Sequence, residues 1–133
     1  MTSPRMLLAA LVLAVAGAGC AAQAAEVAAP QVVGAGEAVE LLDARDDLVI
    51  IDVRTPGEYA EGALAASALI DIQAADFEQR IGELDRDAAY VVYCRSGNRS
   101  AQAVAIMADL GFTELYDAGG FADLAAAGAA LVG

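Results

Sequence analysis

Histidine and lysine are both missing from this chain. Their absence removes Ser-His-Asp and Cys-His catalysis, His-ligated zinc or iron, and imidazole acid–base work. Any chemistry must run on carboxylates, arginines, hydroxyls, backbone amides or a thiol. Cysteine is scarce too: Cys20 and Cys94 are the only two, too few for a disulfide framework. Seven basic residues, all arginine, stand against 19 acids for a net charge of −12, and every acid lies beyond residue 25. Phosphate binding needs a basic face, so no nucleic acid partner is expected, and an anionic membrane surface is disfavoured for the same reason. The apolar run Leu7 to Ala18 falls short of the ~20 residues that cross a bilayer. No other segment could form a transmembrane span.

What the first 25 residues do contain is one base, Arg5, then that apolar run, then the small-residue stretch Gly17 to Ala25. This pattern predicts a secretory signal and an exported protein. Two processing sites compete. Cleavage after Ala22-Gln23-Ala24 makes residues 1–24 a signal peptide and releases a soluble periplasmic product. Alternatively, Ala18-Gly19-Cys20 resembles a bacterial lipobox, although Gly17 stands where such signals usually have Leu. Residues 1–19 would then be a lipoprotein signal and Cys20 the lipid anchor of a cell-envelope protein. Either way, residues 25–35 are a short lead-in and 36–133 a single domain, since roughly 110 residues leave room for one modest core.

Periodicity then alternates. Gln31 to Val33 predicts a brief edge strand, and Glu37 to Ala44 a helix with Ala38, Leu41 and Leu42 inward. Leu48 to Ile51 reads as a strand buried on both faces. Thr55-Pro56-Gly57-Glu58 has an N-cap residue, Pro in the first turn and an acid, so a short helix starts there and carries Tyr59 inward. A strand at Ala68 to Ile72 and a helix at Ala75 to Leu84 follow. Tyr90 to Tyr93 is a β-branched and aromatic strand that delivers Cys94 at its carboxyl end. Asn98 to Leu110 predicts a helix with Ala101, Val104, Ala105 and Ala108 on the sheet. Glu114 to Tyr116 is a last strand, Gly119-Gly120 a turn and Phe121 to Ala127 a helix, while the Ala-rich tail is weakly specified. The alternation implies an α/β fold, a parallel sheet flanked by helices with right-handed crossovers. Such sheets bind ligands at the carboxyl ends of their strands, where Asp52 and Cys94 fall.

The segment Cys94-Arg95-Ser96-Gly97-Asn98-Arg99-Ser100 joins strand to helix. A loop curling ahead of a helix points several N–H groups at one spot, a nest suited to an anion. With Arg95, Arg99 and the helix dipole added, the best-placed anion is the Cys94 thiolate, its pKa lowered from the free value of ~8.5. Gly97 permits the positive φ of the turn. Ser96 and Asn98 supply amides, and Ser100 caps or hydrogen-bonds within the helix start. The Arg99 guanidinium is expected to turn into the nest, leaving the sulfur ionised and reachable from solvent, and the two arginines make a positive well for an anionic sulfur donor. Asp52 and Arg54 read as a supporting ion pair, Glu58 as scaffold or solvated face. Nothing implies a metal or organic cofactor.

Cys-Arg-x-Gly-x-Arg-Ser after a buried strand resembles the active-site loop of the single-domain rhodanese sulfurtransferases. Ile51-Asp52-Val53-Arg54-Thr55-Pro56-Gly57-Glu58-Tyr59 is similar to that family's Asp-Val-Arg box, and Tyr116-Asp117-Ala118-Gly119-Gly120-Phe121 to its late Gly-Gly turn. The resemblance implies a rhodanese-like three-layer sandwich around a central parallel five-stranded sheet. It implies a sulfurtransferase in which Cys94 takes sulfane sulfur from a donor such as thiosulfate, becomes a persulfide, and passes the sulfur to cyanide or a thiol acceptor. The related phosphatases and arsenate reductases have five residues between Cys and Arg; the four here argue against phosphate-ester chemistry. Where the family often has Gly-His-Ile-Pro-Gly-Ala, this chain has Gly62-Ala63-Leu64-Ala65-Ala66-Ser67, and Leu124 or a neighbour replaces the Trp that commonly follows the Gly-Gly turn. A different class is also open: a non-catalytic rhodanese-like module that carries or senses sulfur species or docks a partner protein.

Overall fold

The computed structural model describes residues 29–133; the leader, Cys20 and the first residues of the lead-in, up to 28, lie outside the described residues. In chain order the elements are β1 (Gln31–Val32), α1 (Ala35–Ala44), β2 (Val49–Asp52), α2 (Pro56–Ala60), β3 (Ala63–Leu64) and β4 (Ser67–Leu69). There follow α3 (Phe77–Gly82), β5 (Ala89–Cys94), α4 (Asn98–Asp109), β6 (Glu114–Gly120), α5 (Phe121–Ala126) and β7 (Leu131–Val132). Five strands form one parallel sheet in the order β1-β6-β5-β2-β4, and β3 pairs with β7 antiparallel in a separate ribbon.

All six residues of β5 are buried, as expected of the middle strand of a sheet covered on both faces. Its side chains alternate. Tyr90, Val92 and Cys94 join Phe77 and Ile81 of α3 and Ala103, Val104 and Met107 of α4 in one core. Val91 and Tyr93 face the other way, against Ala38 of α1, Leu64 of β3 and Leu124 of α5. The result is the three-layer α/β sandwich with a five-stranded parallel sheet. Sheet register brings the carboxyl ends of β2, β5 and β6 together: Asp52 is opposite Tyr93, and Cys94 opposite Gly120.

Several local expectations change. Burial of β2 on both faces holds only for Ile51 and Asp52, because β4 begins opposite Ile50 and leaves Val49 exposed. The strand expected at 68–72 is shorter and is preceded by β3, whose partner β7 comes from the tail that periodicity left unassigned. On α4 the face turned to the sheet is Ser100, Ala103, Val104 and Met107, with Ala101 and Ala105 exposed. Alanine on both sides of a helix blurs its apolar stripe, and the longer Met107 settles the orientation. Finally, Gly119 and Gly120 do not turn but continue β6.

Candidate active site

Cys94 ends β5 and the chain leaves the sheet through Arg95-Ser96-Gly97 into α4. Gly97, the residue before α4, has φ 103°, a backbone shape that costs glycine alone nothing. The bend turns N–H groups back on the sulfur. The Gly97 N–H donates to Cys94 Sγ at 2.9 Å, the N–H groups of Ser96 and Ser100 are turned to the same sulfur, and the Cys94 thiol donates to Ser100 Oγ at 3.5 Å. Burial pushes the thiol up, but these groups outweigh it and the Cys94 thiol titrates below its ordinary value.

The loop rests on β6. A Cβ on Gly120 would stand 2.6 Å from the Arg95 carbonyl oxygen, so only glycine lets the strand pass beneath. This close approach is why the Gly-Gly pair stays in the sheet. Cys94 is 0 % exposed; the loop wraps the sulfur, and Arg95, Ser96 and Asn98 carry the exposure instead. The sulfur is therefore not open to solvent as the sequence led one to expect.

Arg99 also departs from expectation. Its Nη1 and Nη2 donate to Glu58 Oε2 and Oε1 at 2.7 and 2.9 Å, away from the nest. Glu58 is the third residue of α2 and closes a capping box: its carboxylate accepts the Thr55 N–H at 3.0 Å, while the Thr55 hydroxyl accepts the Glu58 N–H at 3.3 Å. A carboxylate fixed in this way is a better-oriented partner for a guanidinium than a nest already filled by amide and hydroxyl groups. Arg99, aided by Thr55, holds the Glu58 carboxyl down to about 2.

Asp52 and Arg54 form a buried ion pair, with Nη2 to Oδ2 at 2.7 Å and Nε 3.0 Å from both carboxylate oxygens. Arg54 Nη2 also donates to the Gly62 carbonyl at 2.7 Å, and its guanidinium lies 4.4 Å from the centre of the Phe121 ring. Tyr93 donates its hydroxyl to Asp52 Oδ2 at 2.6 Å and accepts the Leu64 N–H at 3.0 Å, tying β5, β2 and β3 together. Burial, then the Asp52 bond, pushes that phenol up to about 12.

On the other side of the sulfur, the buried Ser100 hydroxyl lies 3.5 Å from Sγ, 3.0 Å from the Gly97 carbonyl and 2.6 Å from Asp117 Oδ1. Asp117 is 5 % exposed and also accepts the Gly119 N–H at 3.1 Å. Beside the loop is a cleft of about 440 Å³ lined by Arg54, Glu58, Glu61, Arg95 and Phe121. A separate cavity of about 250 Å³, between α1 and residues 129–130, holds none of the expected site residues. Among the described residues no three acids or cysteines gather as a metal site.

The sequence profile of the rhodanese-like domain matches residues 34–127, which spans the loop, both ion pairs and all five strands' carboxyl ends but that of β1. The chain belongs to the rhodanese-like domain family. It is homologous to thiosulfate sulfurtransferases: it is 34% identical over 77 residues to thiosulfate sulfurtransferase PspE of Escherichia coli, covering 56% of this chain and 72% of that one. It is also 39% identical over 75 residues to thiosulfate sulfurtransferase GlpE of Ectopseudomonas mendocina, covering 55% and 66%. Among solved structures, a rhodanese-related protein of Thermoplasma volcanium superposes with a TM-score of 0.66 at 30% identity, covering 77% of this chain and 97% of that one.

Within this rhodanese fold the residues singled out from the sequence do converge. Cys94, Ser96, Gly97 and Ser100 build the cradle, Arg95 borders the cleft, Asn98 starts α4, and Asp52 and Arg54 brace the rim. Tyr93 and Asp117 are the participants that sequence reasoning missed, whereas Glu58, read there as scaffold or solvated face, is the scaffold carboxylate that caps α2 and holds Arg99. A tyrosine inside a strand and an acid three residues before Gly120 carry no local mark of their partners.

Proposed function

We propose that this chain is a sulfurtransferase that carries sulfane sulfur on Cys94. The observation behind the reading is the ring of amide and hydroxyl groups around a sulfur that titrates low. The named activities of the homologous thiosulfate sulfurtransferases support the donor class. The Cys94 thiolate attacks the outer sulfur of a donor such as thiosulfate; the donor's S–S bond breaks, its electron pair leaves on sulfite, and Cys94 holds a persulfide. Cyanide or a thiolate then attacks the outer persulfide sulfur, the bond to Sγ breaks, and its electron pair returns to Cys94. Product leaves as thiocyanate or as the acceptor's own persulfide.

Each neighbour has a part. Arg95, exposed at the cleft, offers positive charge to an anionic donor in an acidic molecule. Ser96, Gly97 and Ser100 stabilise negative charge on Sγ, and the Glu58 carboxylate fixes Arg99 so that α4 starts in register. Incubation with thiosulfate followed by intact-mass measurement should show a gain of one sulfur atom, removed by an acceptor thiol and absent in Cys94→Ser. A folded protein that never gains this mass from any sulfane donor overturns the reading and favours the non-catalytic module. Export is part of the proposal, on the strength of the leader pattern at residues 1–24. N-terminal mass spectrometry of protein from a bacterial host should find Ala25 or a lipidated Cys20 first; a retained Met1 overturns it.

A further inference from the structure

The ion pair with Asp52 leaves part of Arg54 unused. A guanidinium carries five N–H donors, one on Nε and two on each Nη. Nε shares its own between the two Asp52 oxygens, and Nη2 divides its pair between Asp52 Oδ2 and the Gly62 carbonyl, while no bond among the described residues engages Nη1. Every buried side-chain nitrogen or oxygen among those residues does have a partner, so Nη1 reaches a surface although Arg54 as a whole is only 4 % exposed. The surface that Arg54 lines is the cleft of about 440 Å³ beside the cysteine loop. Two unclaimed N–H groups thus face that cleft from a side chain held in place by Asp52, with its guanidinium 4.4 Å from the Phe121 ring centre and 5.4 Å from that of Tyr93. The other charges of the cleft are soon counted. Asp52 balances Arg54 and Glu58 balances Arg99, which leaves Arg95 and Glu61, both exposed and in none of the salt bridges among the described residues.

From this juxtaposition we infer that the cleft seats a carboxylate of the sulfur acceptor between Arg54 Nη1 and Arg95, and that the preferred acceptor is a small thiol whose carboxylate lies several bonds from its sulfur. The inference rests on the persulfide reading above and names the acceptor class that reading leaves open. Placement favours the acceptor over the donor. Cys94 belongs to the face of the sheet covered by α3 and α4, whereas Arg54 lies against Tyr93 and Phe121 on the face of α1 and α5. A molecule that meets both has to cross the rim of the sheet. Thiosulfate, with its oxygens two bonds from the sulfur it delivers, stays at the loop, while a flexible thiol acid can lay its chain along Phe121 and Ala122. The volume of the cleft is likewise that of a site for an organic ligand. Arg95 follows Cys94 in the chain and serves both steps: it is vacated when sulfite leaves and meets the carboxylate that comes next. Because Arg54 is already fixed, it loses little freedom on binding, and its two parallel N–H groups match the two oxygens of a carboxylate.

Two measurements test the seat, the first without any sulfur transfer. In heteronuclear NMR spectra of the donor-free protein, hexanoate should cause saturable shifts of the Arg54 Nε–H and of the Arg95 and Phe121 amides, absent with methyl hexanoate and weakened in Arg95→Ala. No saturable shift in the wild-type protein overturns the inference. For the second, protein preloaded with persulfide is mixed with ω-mercaptohexanoate or its methyl ester, two thiols of matched reactivity because the carboxylate is remote from the sulfur. The wild type should prefer the acid by about tenfold in second-order rate constant, the worth of one charge-assisted hydrogen bond. That preference should disappear in Arg95→Ala and in Arg54→Lys, which can still pair with Asp52 but has no second nitrogen for the cleft. It should rise roughly twofold in Glu61→Gln, which removes the acid that no arginine balances. Equal rates for acid and ester in the wild type, or a preference that survives both arginine variants, overturns the seat. If Arg54→Lys does not fold, Arg95→Ala and Glu61→Gln still decide. Hexanoate binding as described with no persulfide ever formed would keep the seat and sink the transferase reading; persulfide formed with no preference for the acid would do the reverse.

Discussion

A single methyl group is enough to probe the support beneath the cysteine loop. In Gly120→Ala the new Cβ meets the Arg95 carbonyl at 2.6 Å, a backbone atom that cannot swing aside. The variant should lose about 1–3 kcal/mol in denaturant titration, as overpacking does, and form persulfide slowly. Gly36→Ala is the control, since nothing lies within 4 Å of its Cβ and it sits in α1; it should gain up to about 0.5 kcal/mol. The opposite case is Ala66, with φ 61°, which occupies the place where the family pattern has glycine. Left-handed backbone costs an L-residue about 1–2 kcal/mol, so Ala66→Gly should raise the melting temperature; an unchanged or lowered value would refute the strain. The loop cysteine, its turn glycine and Ser100 were legible at this scale because their spacing states the chemistry. The direction of Arg99 was not, since it depends on a carboxylate 41 residues away in the chain.

Between elements, the Glu58 carboxylate joins the start of α2 to the start of α4. Folding lowers its pKa from 4.5 to about 2, so the stabilisation is present above pH 4.5 and disappears as pH falls through about 2. Wild-type protein should lose stability over that window more steeply than Glu58→Gln, whose curve is flatter and starts lower; parallel curves would show that the pair contributes nothing. Element types and order could be read from periodicity, because apolar runs and capped helix starts are local signals. Where the reading slipped, the cause was non-local. β7 exists because β3 offers it an antiparallel edge, and β6 runs on through Gly120 because the loop above needs a strand without side chains there.

At the scale of the molecule, 19 acids meet seven arginines, and four salt bridges are formed among the described residues. Most negative charge is thus unpaired and self-repelling. Screening shortens the reach of that repulsion, to about 10 Å at 0.1 M ionic strength, so added sodium chloride should raise the thermal midpoint steadily. A midpoint that falls with salt would mean that the few ion pairs outweigh the excess charge.

The sealing of Cys94 also bears on which atom an acceptor can strike. A thiol meeting a persulfide has two electrophilic sulfurs to choose from. Attack on the inner one yields a mixed disulfide and wastes the cargo as hydrosulfide; attack on the outer one completes the transfer. In the proposed persulfide the inner sulfur would belong to a residue with no exposed surface, and the outer sulfur would stand one S–S bond, about 2 Å, from it. On the proposed reading, that burial would shield the inner sulfur and favour the productive trajectory, which matters because the described residues hold no second cysteine to rescue a wrong disulfide.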